Sequence, residues 1–133
     1  MIKQYLLDTH TFLWASKDAA VSNLGKQAKD VLEDPESELF VSSVSLYEIV
    51  NKYRLGKLPE YPQIAENIFQ ALDGLDANEL PLNWGHAELA ARLDWSHGDP
   101  FDRMLAAQTQ IEDMTLITCD KAFDSAPDID TLW

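Results

Sequence analysis

Short apolar runs alternate with helical periods along this chain. Residues 2–7 form the first run, which stops at Asp8 and predicts a short buried strand. Residues 39–41 form the second, introduced by the turn-forming Asp34-Pro35, and helical periodicity fills the gap between them. The opening of the chain therefore predicts a strand, helical segments and a second strand.

A helix is predicted from Ser43, because apolar residues recur at helical spacing. They are Val44, Tyr47, Val50 and Tyr53, which mark one apolar helical face, and Gly56 supplies the stop. A further helix fits the spacing of Ile64, Ile68, Ala71 and Leu72.

The second half of the chain continues the alternation. The pattern predicts strands at 78–82, 115–118 and 130–133 and helices at 84–93 and 100–111. Pro81 suits an edge strand or a strand end. Strands that alternate with helices imply a parallel sheet covered on both faces, and no repeat, linker or low-complexity tract divides the chain. We therefore expect a single α/β domain over residues 1–133.

Four carboxylates stand where this fold turns from one element to the next. Asp8 and Asp120 directly follow predicted strands, and the carboxyl ends of parallel strands share one edge where ligands bind. Glu48 and Asp102 are placed in the first turns of their helices, where the helix dipole favours negative charge. We expect the four to converge in one acidic pocket.

Each of these acids also has a structural explanation. Ser45-x-x-Glu48 matches a capping box, and Glu48 is one turn from Lys52. Asp99 suits an N-cap before Pro100, and acids after strands are common turn formers. Joint convergence at one edge favours a site, because independent caps have no reason to share that edge.

Such a pocket suits Mg²⁺ or Mn²⁺, which prefer oxygen ligands and bind through a few carboxylates together with substrate phosphate. Asp8 and Asp102 are the candidate direct ligands, and Glu48 and Asp120 complete the site through metal or bound water. Asp99 is a spare carboxylate close enough to assist. Thr9 and Thr118 are candidate supporting hydroxyls, although a plain turn or strand role is favoured for each.

The net charge of −13, from 10 Lys and Arg against 23 Asp and Glu, excludes a protein that holds nucleic acid by bulk positive charge. Lys52, Arg54 and Lys57 form one local basic stretch, which also fits a solvated helix face. Arg103 would contact phosphate or pair with a neighbouring acid. A structural role is favoured for His97 over proton transfer or phosphate contact.

The segments LLDTHTFLW, SLYEIVNKYRLGKL, HGDPFDRMLAAQ and LITCDKAF resemble the four acidic blocks of PIN-domain ribonucleases, in particular the VapC-type toxins of bacterial toxin–antitoxin pairs. The resemblance implies a three-layer α/β/α fold with a parallel sheet of about five strands. It also implies Mg²⁺- or Mn²⁺-dependent endonucleolytic cleavage of RNA by Asp8, Glu48, Asp102 and Asp120. The implied partners are a second copy of the chain and a cognate antitoxin, whose basic segment would enter the acid cluster and inhibit it.

The compartment expected from the sequence is the cytoplasm. No apolar run is long enough for a membrane span, and the lone Cys119 gives no internal disulfide framework. The rival function from another class is a catalytically silent acidic module that binds a basic protein partner. Such a module would have the same fold and the same pocket but would not catalyse a reaction.

Overall fold

The computed structural model describes residues 2–133, built around a five-stranded sheet in which all paired neighbours run parallel. The strands lie in the order β3-β2-β1-β4-β5. Their bounds are Lys3–Leu7 (β1), Ser37–Ser42 (β2), Asn78–Leu80 (β3), Thr115–Ile117 (β4) and Asp130–Leu132 (β5). The predicted parallel sheet of about five strands is confirmed.

Helices occupy the connections between the strands. Over the described residues they are Thr9–Ala15 (α1), Lys26–Glu33 (α2), Ser43–Arg54 (α3), Pro62–Glu66 (α4), Ile68–Gly74 (α5), Trp84–Arg92 (α6) and Pro100–Ile111 (α7). Two 3₁₀ segments, Asp18–Asn23 and Lys121–Ser125, complete the regular structure.

Alternation along β1 builds the core on both faces of the sheet. Tyr5 and Leu7 point to one side, where α1 to α5 pack, while Leu6 points to the other, where α6 and α7 pack. Leu6, Leu7 and Leu116 are completely buried, as expected for central strands covered twice. The three-layer α/β/α fold is confirmed.

The strand order reverses direction at β1. The chain first moves outward from β1 to β2 and β3, and then crosses back to β4 on the other side of β1. Right-handed crossovers require the helices to change face when the direction changes, which is why α6 and α7 cover the opposite side. A reversal of this kind opens a crevice between the carboxyl ends of β1 and β4.

The structure corrects two predictions about the helices. The helix expected across 64–72 is divided at Asn67, whose φ of −131° departs from helical geometry. The apolar face predicted for α3 is not its buried face, because Tyr47 and Val50 are 61% and 41% exposed. Of the predicted face only Val44 is buried, and the other buried positions of the helix are Ser45, Glu48 and Ile49.

Other predictions hold closely. Strand β3 lies at the edge of the sheet and ends before Pro81. Helix α3 ends at Arg54, and Gly56 follows its C-cap Leu55 with a φ of +73°, the left-handed conformation that glycine adopts without strain. Within residues 2–133, no helix combines the length and apolar character that crossing a membrane requires.

Candidate active site

A cleft of about 350 Å³ lies beyond the carboxyl ends of β1 and β4, at the reversal of strand order. It brings together all four acids predicted from the sequence and the accessory Asp99. Its lining residues are Asp8, Thr9, His10, Trp14, Glu48, Lys52, Asp99, Asp102, Cys119 and Asp120. Five carboxylates from four separate segments of the chain therefore face one small volume.

Asp8 lies at the base of the cleft, directly after β1. Its Oδ1 accepts a hydrogen bond from the Thr11 backbone N–H at 2.8 Å, which makes it the N-cap of α1. Its Oδ2 accepts from the Thr118 hydroxyl. Burial raises the pKa of Asp8, and the hydrogen bonds from Thr118 and Thr11 oppose that rise. The residue is thus both a helix cap and a buried acid with both oxygens held in place.

Thr118 connects the acids of the two central strands. Its hydroxyl donates to Asp8 and accepts from the Asp120 backbone N–H at 3.0 Å. Asp120 is itself exposed and caps the following 3₁₀ segment, accepting from the Ala122 N–H at 2.9 Å. The Thr118 hydroxyl, predicted from the sequence as a candidate supporting group, therefore fixes the position of the Asp120 loop.

Glu48 approaches the cleft from α3 and is only 8% exposed. It lies in the second turn, because the N-cap is Ser42, whose Oγ accepts from the Val44 N–H. The predicted first-turn position and the Ser45–Glu48 capping box are therefore wrong. The helix begins at Ser43, directly after β2 ends at Ser42.

Hydrogen bonds hold both oxygens of Glu48. Its Oε1 lies 2.7 Å from Thr9 Oγ1, and its Oε2 accepts from Lys52 Nζ at 2.6 Å. Thr9 Oγ1 is also 3.0 Å from the buried Ser45 Oγ. Since a hydroxyl has one proton and a carboxylate only accepts, Thr9 donates to Glu48 and Ser45 donates to Thr9. Ser45 thus orients Glu48 through Thr9.

Asp99 and Asp102 open α7 as the sequence predicts. Asp99 is the N-cap and accepts from the Phe101 and Asp102 N–H groups at 2.9 and 3.1 Å. Asp102 lies in the first turn, with its Oδ2 2.7 Å from His97 Nε2. Burial raises the pKa of Asp102 and the negative charges of Asp99 and Asp120 add to the rise, while the His97 hydrogen bond opposes it.

His97 has a closer relation to the site than the sequence indicates. Its ring contacts Asp102 on one side and packs against Trp95, with ring centroids 4.9 Å apart. A separation of five residues across a turn matches no local motif, so the pairing has no signature in the sequence.

Arg103 does not pair with a neighbouring acid in the described part of the chain. Four of its N–H groups donate to backbone carbonyls, those of Ala90 (3.0 Å), Leu93 (2.8 Å), Trp95 (2.6 Å) and His97 (2.9 Å). Because a guanidinium carries five N–H groups, little capacity is left for a phosphate or a carboxylate. Arg103 instead fixes the loop that presents His97 to Asp102.

Gln108, six residues beyond Asp102 in the same helix, is completely buried. Its Oε1 accepts from the Ser42 hydroxyl at 2.6 Å, and its Nε2 donates to the carbonyls of Leu80 and Pro81. These contacts fix α7 against the ends of β2 and β3 and so hold Asp99 and Asp102 at the cleft.

Cys119 lines the cleft but is not suited to act as a nucleophile. Desolvation raises the pKa of its thiol, and the negative charge of Asp8 acts in the same direction. The thiolate is the reactive form, and an acidic neighbourhood disfavours it.

The carboxylates fit a hydrated divalent cation better than a closed metal cage. Among residues 2–133, no three His, Cys, Asp or Glu side chains form a ready-made set of ligands. Each carboxylate oxygen has two lone pairs, however, and Asp99, Asp102 and Asp120 each use only one oxygen in the hydrogen bonds above. Mg²⁺ keeps several waters and needs only one or two carboxylates as direct ligands. Asp8 and Asp102, assisted by Asp99 or Asp120, could therefore hold it.

Solved structures with this fold cover almost the whole chain. A DNA-bound VapBC from Salmonella typhimurium matches with a TM-score of 0.71 at 17% identity, covering 99% of this chain and 98% of that one. VapBC2 from Rickettsia felis, bound to a promoter DNA fragment, gives 0.69 at 18%, covering 98% of both chains. VapBC-1 from nontypeable Haemophilus influenzae gives 0.67 at 21%, covering 97% and 96%. At these identities the likeness shows the fold.

The family follows from the sequence itself. No curated protein sequence gives a significant match. The family model described as PIN domain matches residues 5–129, which include every acid of the cleft. With the fold and the acidic cleft in agreement, the chain belongs to the PIN domain family.

Proposed function

We propose that this protein is a metal-dependent endoribonuclease and the toxin of a toxin–antitoxin pair. The observation that carries the proposal is the cleft, where five carboxylates converge at the strand reversal of a PIN fold. Capping alone does not explain this arrangement, because Asp8, Asp99 and Asp120 cap three different elements and still face one volume.

In this proposal Asp8 and Asp102 hold Mg²⁺ or Mn²⁺, assisted by Asp99 and Asp120. Bound there, the cation supplies Lewis-acid stabilisation of phosphoryl charge and a bound water of lowered pKa. The rest of the protein holds these carboxylates in position. Thr118 and Thr11 fix Asp8, and His97 orients Asp102 through its Oδ2.

Glu48 contributes from the opposite side. Thr9 and Lys52 hold its two oxygens, so the carboxylate is oriented before any ligand arrives. Within residues 2–133, Lys52 is the one lysine or arginine that lines the cleft. A phosphodiester entering a cleft of five acids is otherwise repelled, which makes cleavage dependent on the cation.

The proposed protein partner is a cognate antitoxin with a basic inhibitory segment. The solved neighbours are VapBC complexes, and a cationic side chain would satisfy the same negative charge as the metal. Surface-exposed Tyr47, Phe69 and Trp84 offer apolar contact area that a partner or a second copy of the chain would cover. The cytoplasm, where Cys119 would stay reduced, is the proposed compartment.

The direct test uses purified, partner-free protein. With Mg²⁺ or Mn²⁺ added it should cleave RNA from a broad cellular pool, and a chelator should stop cleavage. Intact RNA after prolonged incubation with metal would contradict the proposal. The same fold would then be better explained as a silent acidic module that binds a basic partner.

A cellular test addresses the toxin role separately. Induced expression should arrest growth, and co-expression of the neighbouring small gene should relieve the arrest. Normal growth with folded protein present would remove the toxin assignment. Sequencing the 5′ ends of cleaved RNA after induction would identify the target.

A further inference from the structure

We propose that a binding subsite for single-stranded RNA adjoins the acidic cleft, formed by His10, Trp14, Lys52 and Lys57. The two lysines would hold a phosphate that flanks the scissile one, and the aromatic pair would stack on an unpaired base. This inference rests on the proposed ribonuclease function and specifies how its substrate is bound.

The subsite has a cavity of its own. A second hollow, of about 170 Å³, is lined by Thr9, His10, Leu13, Ile49, Lys52, Lys57 and Leu58. Thr9, His10 and Lys52 line the acidic cleft as well, so the two cavities are contiguous. A strand of nucleic acid with one phosphate in the cleft would place its next nucleotide here.

The cations of the subsite keep donors available. Lys52 uses one contact, to Glu48, and an ammonium group has three N–H donors. Lys57 is exposed and has no described side-chain partner. Half of the chain's ten Lys and Arg residues are engaged elsewhere, namely Lys17, Lys26, Arg54, Arg92 and Arg103. Cationic side chains with donors still available for phosphate are therefore few, and those of Lys52 and Lys57 lie beside the cleft.

The end of α3 fixes the position of Lys57. The Gly56 N–H donates to the Tyr53 carbonyl at 3.0 Å, and the Lys57 N–H donates to the Lys52 carbonyl at 2.8 Å. These two bonds, around a glycine with positive φ, constitute a Schellman motif. The motif folds the chain back so that the two lysines border the same cavity, and the buried Leu58 anchors the return.

The aromatic pair lies where the two cavities meet, because His10 lines both of them and Trp14 lines the acidic cleft. The rings of His10 and Trp14 lie with centroids 5.6 Å apart and tilted by 51°. The ring of Trp14 packs against that of Trp133, with centroids 5.7 Å apart, whereas His10 is exposed. A base must be unpaired to stack on such a surface, so the subsite selects single strands over duplexes.

The test measures binding rather than cleavage, in an Asp102→Asn background, which leaves the RNA uncut and removes one of the negative charges that repel phosphate. Fluorescence anisotropy of a labelled single-stranded RNA should show that Lys57→Ala weakens binding about three- to tenfold. It should also flatten the dependence of log affinity on log salt by about 0.7, the value for one phosphate contact on a single strand. Lys3→Ala is the matched control, because Lys3 is exposed at the opposite end of β1. It should bind as the background does.

Stacking is tested at the exposed His10. His10→Ala should weaken binding about fivefold or more, and His10→Phe should restore it, since stacking is sequence-tolerant and needs no charge. An RNA duplex should bind more weakly than the single strand. Equal loss in Lys3→Ala and Lys57→Ala, or equal binding of duplex, would overturn the subsite.

The outcomes separate the two proposals. If the wild type cleaves RNA while Lys57→Ala and His10→Ala bind as the background does, the ribonuclease stands and the subsite is wrong. If the wild type neither cleaves nor binds RNA, both fail together.

Discussion

The two sides of the cleft handle their negative charge differently. On the Glu48 wall, formed by Thr9, Glu48 and Lys52, the carboxylate accepts from a hydroxyl and an ammonium group. On the Asp102 wall, formed by Asp99, Asp102 and Asp120, the acids face one another, and their mutual charge helps raise the pKa of Asp102. One wall is neutralised by the protein and the other is not.

This difference indicates where the proposed cation would bind. An ion placed near the Asp102 wall relieves like-charge repulsion, while near the Glu48 wall it competes with an existing ammonium. We therefore expect the metal to depend more on Asp102 and Asp8 than on Glu48. The following experiments test that asymmetry, beginning with the largest effect.

Asp102→Asn should abolish RNA cleavage, by about a hundredfold to a thousandfold or more. The change removes a charged ligand from the wall that lacks a cation, and loss of several kcal/mol of transition-state stabilisation corresponds to that range. Cleavage rates and calorimetric Mg²⁺ titrations would measure it. Asp94→Asn, at an exposed position outside the cleft, is the control. Retained metal affinity in Asp102→Asn would contradict the asymmetry.

Arg103→Lys should reduce the free energy of unfolding by about 2 kcal/mol, because an ammonium cannot reach four carbonyls at once and leaves some unsatisfied. Chemical denaturation would report the loss. Arg92→Lys, at an exposed ion pair with Glu88, should change stability far less. Equal effects at the two positions would show that Arg103 does not fix the His97 loop.

Glu48→Gln should lower cleavage by about tenfold, a barrier increase of about 1.4 kcal/mol, and leave Mg²⁺ affinity nearly unchanged. Lys52 already neutralises the Glu48 wall, so the negative charge of Glu48 matters less for cleavage than the position of its side chain. Parallel kinetics and metal titration are needed, with the exposed Glu60→Gln as control. A loss of metal affinity as large as in Asp102→Asn would make the two walls equivalent.

The smallest expected effect concerns pH and metal-free stability. The pKa of Asp102 in the folded protein is raised from 3.8, so the proton is held more tightly in the folded state. Its stabilising contribution is complete below 3.8 and is lost as the pH rises through the folded pKa. At neutral pH the metal-free wild type should thus have a slightly lower melting temperature than Asp102→Asn. The difference between the two melting temperatures should disappear at acidic pH. Thermal melts over that range would show it, and added Mg²⁺ should stabilise only the wild type.

The sequence predicts the framework of the fold better than the inner surface of α3. Strands β1 and β4 are short apolar runs followed by an acid, and this local pattern places Asp8 and Asp120 correctly at one edge. In α3 the apolar spacing through Tyr47 and Val50 leads to the wrong face. The inner face has Ser45 and Glu48 because it borders the cleft, so hydrophobic periodicity fails where function replaces packing.

Contacts between distant segments are the other part that sequence reasoning could not supply. Arg103 bonds to carbonyls 6 to 13 residues away, and His97 meets Asp102 across a turn. Neither contact depends on a recurring residue pattern. The acids themselves were predictable because topology alone brings them to one edge.

The hydrogen bond between Thr118 and Asp8 joins residues 110 positions apart. Before β4 is paired beside β1, Asp8 lacks this partner and the Asp120 loop has no anchor. A growing polypeptide thus has no complete cleft until β4 has left the ribosome and paired with β1. The proposed hydrolytic activity would therefore be absent from a partially synthesised chain that lacks β4.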